Sequence, residues 1–158
     1  MKNQPIKRSA YVVVLSRDHH AGLLFCWKIK QGLKKDISSE RIASYIRFFW
    51  EEHLMEHFRE EEILLFNQYD SELTRRGKAE HVELQQNFLA IAGGQPPEPD
   101  YLEFTEQLTA HIRFEERELF PHLEQALTAP VLTAIGDILA KLHMLPFKDN
   151  YPDEFWIK

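Results

Sequence analysis

One cysteine, Cys26, stands in 158 residues. That excludes an intrachain disulfide and any zinc cluster built on thiolates. Glycine and proline are sparse, at 6 and 8 residues, so a collagen-like or low-complexity chain is ruled out. No apolar run has the length of a membrane span. The run near the N-terminus, YVVVL at 11–15, is also too short for the core of a secretion signal. Basic residues are in deficit, 19 Lys and Arg against 25 Asp and Glu for a formal charge of −6, which argues against non-specific nucleic-acid binding. What remains is the expectation of one soluble, cytoplasmic domain over residues 1–158, with no nucleic-acid or membrane partner. At this length the domain can bury a substantial core.

Histidine is not scarce. There are eight, and their placement matters more than their number. The segment HFREEEILLF from His57 to Phe66 recurs as HIRFEERELF from His111 to Phe120. Both copies read His, any residue, Arg, any residue, Glu, Glu, two variable residues, an apolar residue and Phe. The first aligned glutamate lies four residues after the histidine, pairing His57 with Glu61 and His111 with Glu115. On a helix these positions share one face. An imidazole and a carboxylate facing inward from each of two helices is what a transition-metal site in a bundle needs.

The periodicity is helical throughout. Residues 1–7 form a lead-in containing Pro5. Val12, Leu15, His19, Gly22, Cys26 and Ile29 recur at three- and four-residue steps and predict a first helix over about 8–30. QGLKKDISS then turns the chain, with Asp36 and Ser38 as candidate caps. A second helix is expected over about 39–68 and a third over about 72–92, weakened early by Gly77. GGQPPEPD at 93–100 admits no helix. Asp100 with Glu103 makes a capping-box-like start to a fourth helix reaching about Leu127, with Pro121 as a candidate kink. A fifth, shorter helix runs from Thr128 to about His143, and the tail MLPFKDNYPDEFWIK is expected to pack across one end. The fold class is therefore all-α: an up-down-up-down antiparallel four-helix bundle over about 8–127, with a C-terminal helix and tail over 128–158.

Antiparallel neighbours place residues at one height when they lie equally far from the turn between them. Taking His19, His57, His81 and His111, one per helix, the successive midpoints are positions 38, 69 and 96. Each falls in an expected turn, so the four imidazoles share one level to within about a helical turn, ~5 Å.

At this point the residues resemble the hemerythrin-like (HHE cation-binding) domain family, over roughly residues 10–125. The matching pattern is His19 in SRDHHAGLL, His57 with Glu61, His81 in AEHVEL, and His111 with Glu115. The resemblance implies a non-haem centre of two iron ions, Glu61 and Glu115 bridging and the histidines outermost, that binds or senses O2, NO or peroxide or handles iron. Manganese and zinc are the less favoured metals. Oxygen-carrying members have a second histidine on the third helix where this chain has Gln85, and a His–Asp pair five apart where it has His111 and Glu115. Four histidines and two glutamates look more like the bacterial branch associated with nitric-oxide stress and iron–sulfur repair. That branch often carries an N-terminal cysteine-containing module, and these 158 residues hold only Cys26.

The remaining candidates have plainer readings. His20 falls at the helix edge. His53, one turn before His57, is expected beside the site or at its mouth. His122 and His143 have no partner at the right height. Glu60, Glu62 and Glu116 are read as solvated charges or as groups behind the ligands, Arg59 and Arg113 as surface partners of glutamates, and Cys26 as a small buried hydrophobe. A second reading stands beside the first: a zinc-filled or metal-free bundle serving as a protein interaction module, with the aromatic tail as its exposed patch. No residue marks a substrate pocket for turnover, and the oligomeric state is left open.

Overall fold

The computed structural model describes residues 11–94 and 100–157. Among them no strand forms; the chain is five helical rods. Helix α1 spans Val13–Lys34. Helix α2 occupies 39–65, with α-helical Ser39–Phe49 and Met55–Glu60 each followed by a π turn, at Trp50–Leu54 and Glu61–Leu65; a 3-10 turn at Phe66–Gln68 ends it. Helix α3 is Glu72–Gly93. Helix α4 occupies 101–126 as Tyr101–Phe114, a π turn at Glu115–Leu119, and Phe120–Ala126. Helix α5 is Ala129–Leu142.

The ends follow from local chemistry. After α1 the backbone of Asp36 turns left-handed (φ 53°), a region that aspartate tolerates better than most residues. Ser38 then caps α2, its hydroxyl accepting from the Arg41 amide. Ser71 and Thr74 form a reciprocal capping box at the start of α3, and Asp100 accepts from the Glu103 amide at the start of α4; each satisfies amides that a helix start leaves open. The expected first helix thus begins later and ends a turn later than its stripe suggested. Its residues 8–10, and the α3–α4 midpoint at 96, lie outside the described residues.

Helices α1 to α4 pack in a ring, each against the next and α4 back against α1. Burial divides along the rods into two apolar clusters. The one at the α1–α2 turn contains Phe25, Tyr45, Phe49, Phe88, Tyr101 and Phe155. The one at the α2–α3 hinge contains Leu15, Phe66, Leu119, Phe120, Ile135 and Leu139. The second takes in α5, so the fifth helix seals one end while the tail seals the other.

The tail packs as expected across its end of the bundle, and this removes the exposed aromatic patch. Phe155 is wholly buried and Trp156 nearly so. A Cβ on Gly32 would lie 2.6 Å from the Phe155 ring, so the glycine is what lets the tail seat. Gly77 does the same inside α3, where a Cβ would meet Leu119 at 2.8 Å and Phe66 at 3.1 Å. The helix cost of about 1 kcal/mol at that position is exchanged for close packing of both motif endings.

Candidate metal centre

Between the two apolar clusters lies a polar layer made of His19 on α1, His57 and Glu61 on α2, His81 on α3, and His111 and Glu115 on α4. None is more than 4% exposed, and both glutamates are fully buried. They form two groups that share the glutamates. In each group, His19, His57, Glu61 and Glu115 or His81, His111, Glu61 and Glu115, the donor atoms lie within 4.8 Å of one another. Glu61 Oε1 is 3.2 Å from both His57 Nε2 and His81 Nε2, and Glu61 Oε2 is 3.4 Å from His19 Nε2. Glu115 Oε1 is 2.7 Å from His111 Nε2 and 3.4 Å from His19 Nε2. Close as they are, the four Nε2 atoms and the four carboxylate oxygens make no hydrogen bond of acceptable geometry.

Every imidazole is held from behind. His57 Nδ1 donates to Asp18 at 2.9 Å, His111 Nδ1 to Glu80 at 2.8 Å, His19 Nδ1 to Glu116 at 2.6 Å and His81 Nδ1 to Glu62 at 3.2 Å. A carboxylate on Nδ1 leaves Nε2 aimed inward, the arrangement that orients metal-ligating histidines and raises their basicity. The pattern has internal two-fold logic. The acid before each lone histidine, Asp18 or Glu80, holds the motif histidine of the next helix. The acid after each motif glutamate, Glu62 or Glu116, crosses to the lone histidine of the other half. Aromatic rings repeat the theme: Phe66 stacks on His81 and Phe120 on His19, so the Leu-Phe endings of the motifs wall the layer.

Both motifs also carry a π turn beginning at the inward glutamate, Glu61–Leu65 and Glu115–Leu119. Pro121 follows the second, and its missing N–H loosens the helix there. The first copy has Asn67 at that place, so proline is not the common cause. Single π turns concentrate at functional sites.

Without a cation, these groups must neutralise one another. Burial alone would strip the imidazoles of charge, but the surrounding carboxylates outweigh it: His57, facing Glu61 and Asp18, rises to about 9. His111, facing Glu115 and Glu80, rises to about 10. His19 and His81 rise for the same reason. Burial likewise opposes ionisation of Glu61, yet the imidazolium charge of His57 and contacts from its other neighbours hold it well below its ordinary range. A buried cluster of protonated imidazoles around two carboxylates is the proton-loaded form of a cation site.

The structure places each sequence-predicted residue in this layer. It also shows what the sequence reading missed. Asp18 and Glu80 stand outside the predicted set, although an acid directly before each lone histidine is a visible signal. Glu60 is neither solvated nor behind a ligand: it is buried and pairs with His143 at 2.6 Å. His143 therefore does have a partner, supplied by the end of α5. His53 is buried, 4.0 Å from Asp18 and stacked on Phe147 with ring centres 4.1 Å apart, and it lies outside both donor groups. His20 is exposed. His122 bonds Ser71 at 3.1 Å, far from the layer. Cys26 is buried, and burial pushes its thiol up to about 11. Beside His81 and Glu62 a cavity of about 370 Å³ opens, walled by Trp50, Met55, Phe58 and Arg59.

No helix among the described residues is long and apolar enough to cross a membrane. In comparison with known proteins, the family described as the hemerythrin HHE cation binding domain matches residues 12–123. No curated protein and no solved structure matches the chain.

Proposed function

The chain belongs to the hemerythrin HHE cation binding domain family, and from that premise we propose that it is a non-haem di-iron protein whose centre binds a small diatomic molecule or a peroxide. His19 and His57 would hold one ion and His81 and His111 the other, with Glu61 and Glu115 common to both groups. The observation that carries this reading is the set of eight buried donor atoms, four imidazole Nε2 and four carboxylate oxygens, with no hydrogen-bond partner. A buried polar atom left unsatisfied costs about 1–3 kcal/mol. Eight in one layer are tolerable when cations complete them.

The donor chemistry fits. Imidazole and carboxylate without thiolate suit iron, manganese or zinc, and two shared carboxylates favour a pair of higher-coordinate ions. Among these, the resemblance to hemerythrins favours iron. Six protein ligands leave coordination positions on two such ions for an exogenous molecule. When bound, the metal pair supplies electrons and Lewis acidity to that molecule. The protein's own part is to exclude water with Phe58, Phe66 and Phe120, and to fix each Nδ1–H on a carboxylate so that Nε2 is the nitrogen turned toward the centre. The cavity beside His81 and Glu62 offers the approach for a small ligand.

Metal analysis of protein purified in air, together with its near-ultraviolet spectrum, tests the proposal. About two irons per chain with oxo-bridged diferric absorption is the expected result. A colourless protein without stoichiometric iron would sink it, and stoichiometric zinc would favour the reading as a zinc-filled bundle.

A further inference from the structure

Helix α2 carries a second pattern, which runs on from the metal layer toward the α1–α2 turn. Tyr45, Phe49, His53, His57 and Glu61 follow one another at four-residue steps. On an α-helix of 3.6 residues per turn a four-residue repeat drifts by about 40° per step. The wider π turns at Trp50–Leu54 and Glu61–Leu65 rotate less per residue and take back part of that drift. The rings stay in sequence: His57 to His53 at 6.0 Å, His53 to Phe49 at 5.2 Å, Phe49 to Tyr45 at 6.4 Å and Tyr45 to Trp156 at 5.1 Å between centres. Phe25 bridges the longest step, 4.1 Å from Phe49 and 5.3 Å from Tyr45. Bundle packing does not demand this stripe. In the second copy of the motif the places matching His53 and Phe49 hold Gln107 and Glu103.

The far end of the stripe is chemically specific. The wholly buried Tyr45 donates its phenolic hydrogen to Asp149 Oδ2, the oxygen that also receives Lys28 Nζ at 2.9 Å. A phenylalanine would pack as well without bringing a hydroxyl into the core. Lys28 Nζ lies 4.4 Å from the Trp156 ring centre and 5.9 Å from that of Tyr45. A cation against the indole face opposes positive charge on Trp156. Tyr45 avoids that penalty, because losing an electron and a proton together leaves it neutral.

We propose that Tyr45 is a redox-active tyrosine, delivering single electrons along Phe49, His53 and His57 to the metal centre when a hydroperoxide has oxidised it. The inference rests on the di-metal reading above. In the step, the Tyr45 phenol is oxidised to a neutral phenoxyl radical and the centre is reduced by one electron. The O–H bond breaks, its proton crosses the existing hydrogen bond, and a new O–H bond forms on Asp149. An external one-electron reductant such as ascorbate, reaching the half-buried Tyr151 whose ring lies 5.1 Å from that of Tyr45, returns the electron, and Asp149 returns the proton. Burial, followed by the Asp149 hydrogen bond, raises the phenol's pKa far above its ordinary value, so the resting residue keeps its proton until oxidation.

The test is freeze-quench electron paramagnetic resonance of iron-loaded protein containing ring-deuterated tyrosine, mixed with hydrogen peroxide, with iron content measured on the same samples. The expected result is a tyrosyl signal, narrowed by the label, that is lost in Tyr45→Phe while iron content is unchanged. Phe49→Leu, which breaks the ring sequence without touching Tyr45, should lower the radical yield from peroxide. The same variant, metal-free and oxidised by flash-generated tris(bipyridine)ruthenium(III), should still form the Tyr45 radical. A full complement of iron with no tyrosyl signal, or a signal unchanged by Tyr45→Phe, overturns the relay alone. Failure to bind metal overturns the di-metal reading and the relay with it.

Discussion

The four carboxylates behind the imidazoles give the sharpest quantitative prediction, because the structure ranks them. Asp18 is the most enclosed, its side chain 10% exposed, and bonds His57 at 2.9 Å. Glu116 and Glu80 are 21% and 23% exposed, at 2.6 and 2.8 Å. Glu62 is 36% exposed and its bond is the longest, 3.2 Å. Replacing each by its amide keeps the shape and removes the charge. An ionised acceptor makes a hydrogen bond roughly twice as strong as a neutral one, and the difference grows as water is excluded. Loss of such a partner typically costs about 10- to 100-fold in metal affinity. Asp18→Asn is therefore expected near the hundredfold end, about 2.8 kcal/mol, and Glu62→Gln near tenfold, about 1.4 kcal/mol. Glu116→Gln and Glu80→Gln should fall between, and Glu56→Gln on the exposed face of α2 should change nothing. Chelator competition, titrating ferrous iron or its colourless mimics anaerobically, reads these values directly. A larger loss for Glu62→Gln than for Asp18→Asn would show that burial and bond length do not govern the contributions. No loss at any of the four would show that these imidazoles do not bind metal through Nε2.

Glu61→Ala combined with Glu115→Ala should abolish metal binding while circular dichroism stays helical; full occupancy by metal analysis would remove both glutamates from the ligand set. Burial lowers His53 from 6.5 to about 4, so the unfolded chain takes up this proton first as pH falls. His53 therefore lends full stability above pH 6.5, and that contribution is lost on going down to about 4, some 3 kcal/mol in all. Urea unfolding of His53→Phe against wild type across that range should show the gap change by that amount, and parallel curves would refute it. In metal-free protein the raised His57 and His111 keep their protons to about pH 9 and 10. Metal must displace those protons, so affinity measured by competition should rise with pH through this window and release protons into a weak buffer. Phe155→Ala, which empties a wholly buried ring site over Gly32, should cost about 3–5 kcal/mol of unfolding free energy and leave metal stoichiometry unchanged. Metal loss instead would mean that the tail positions the centre.

The amino-acid sequence alone determined the rods, most of their ends and the six inward residues. Helical periodicity, Gly and Pro punctuation and a duplicated His-Glu pair are local signals, and the one-residue-per-helix arithmetic converted them into a common height. Local signals do not report what a side chain faces across the bundle. That is why Glu60 reads as a solvated charge or a group behind a ligand, although it is buried against His143, 83 residues further along the chain. It is also why the sequence left the tail two readings, packed across one end or exposed as a patch, until Phe155 was seen to close on Gly32. Asp18 and Glu80 show the boundary most clearly: their place beside a histidine is written in the chain, but each serves the histidine of the next helix. Only packing of the four rods could assign that partner, because a hydrogen bond is fixed by direction and distance in space, and neighbouring residues on a helix point about 100° apart.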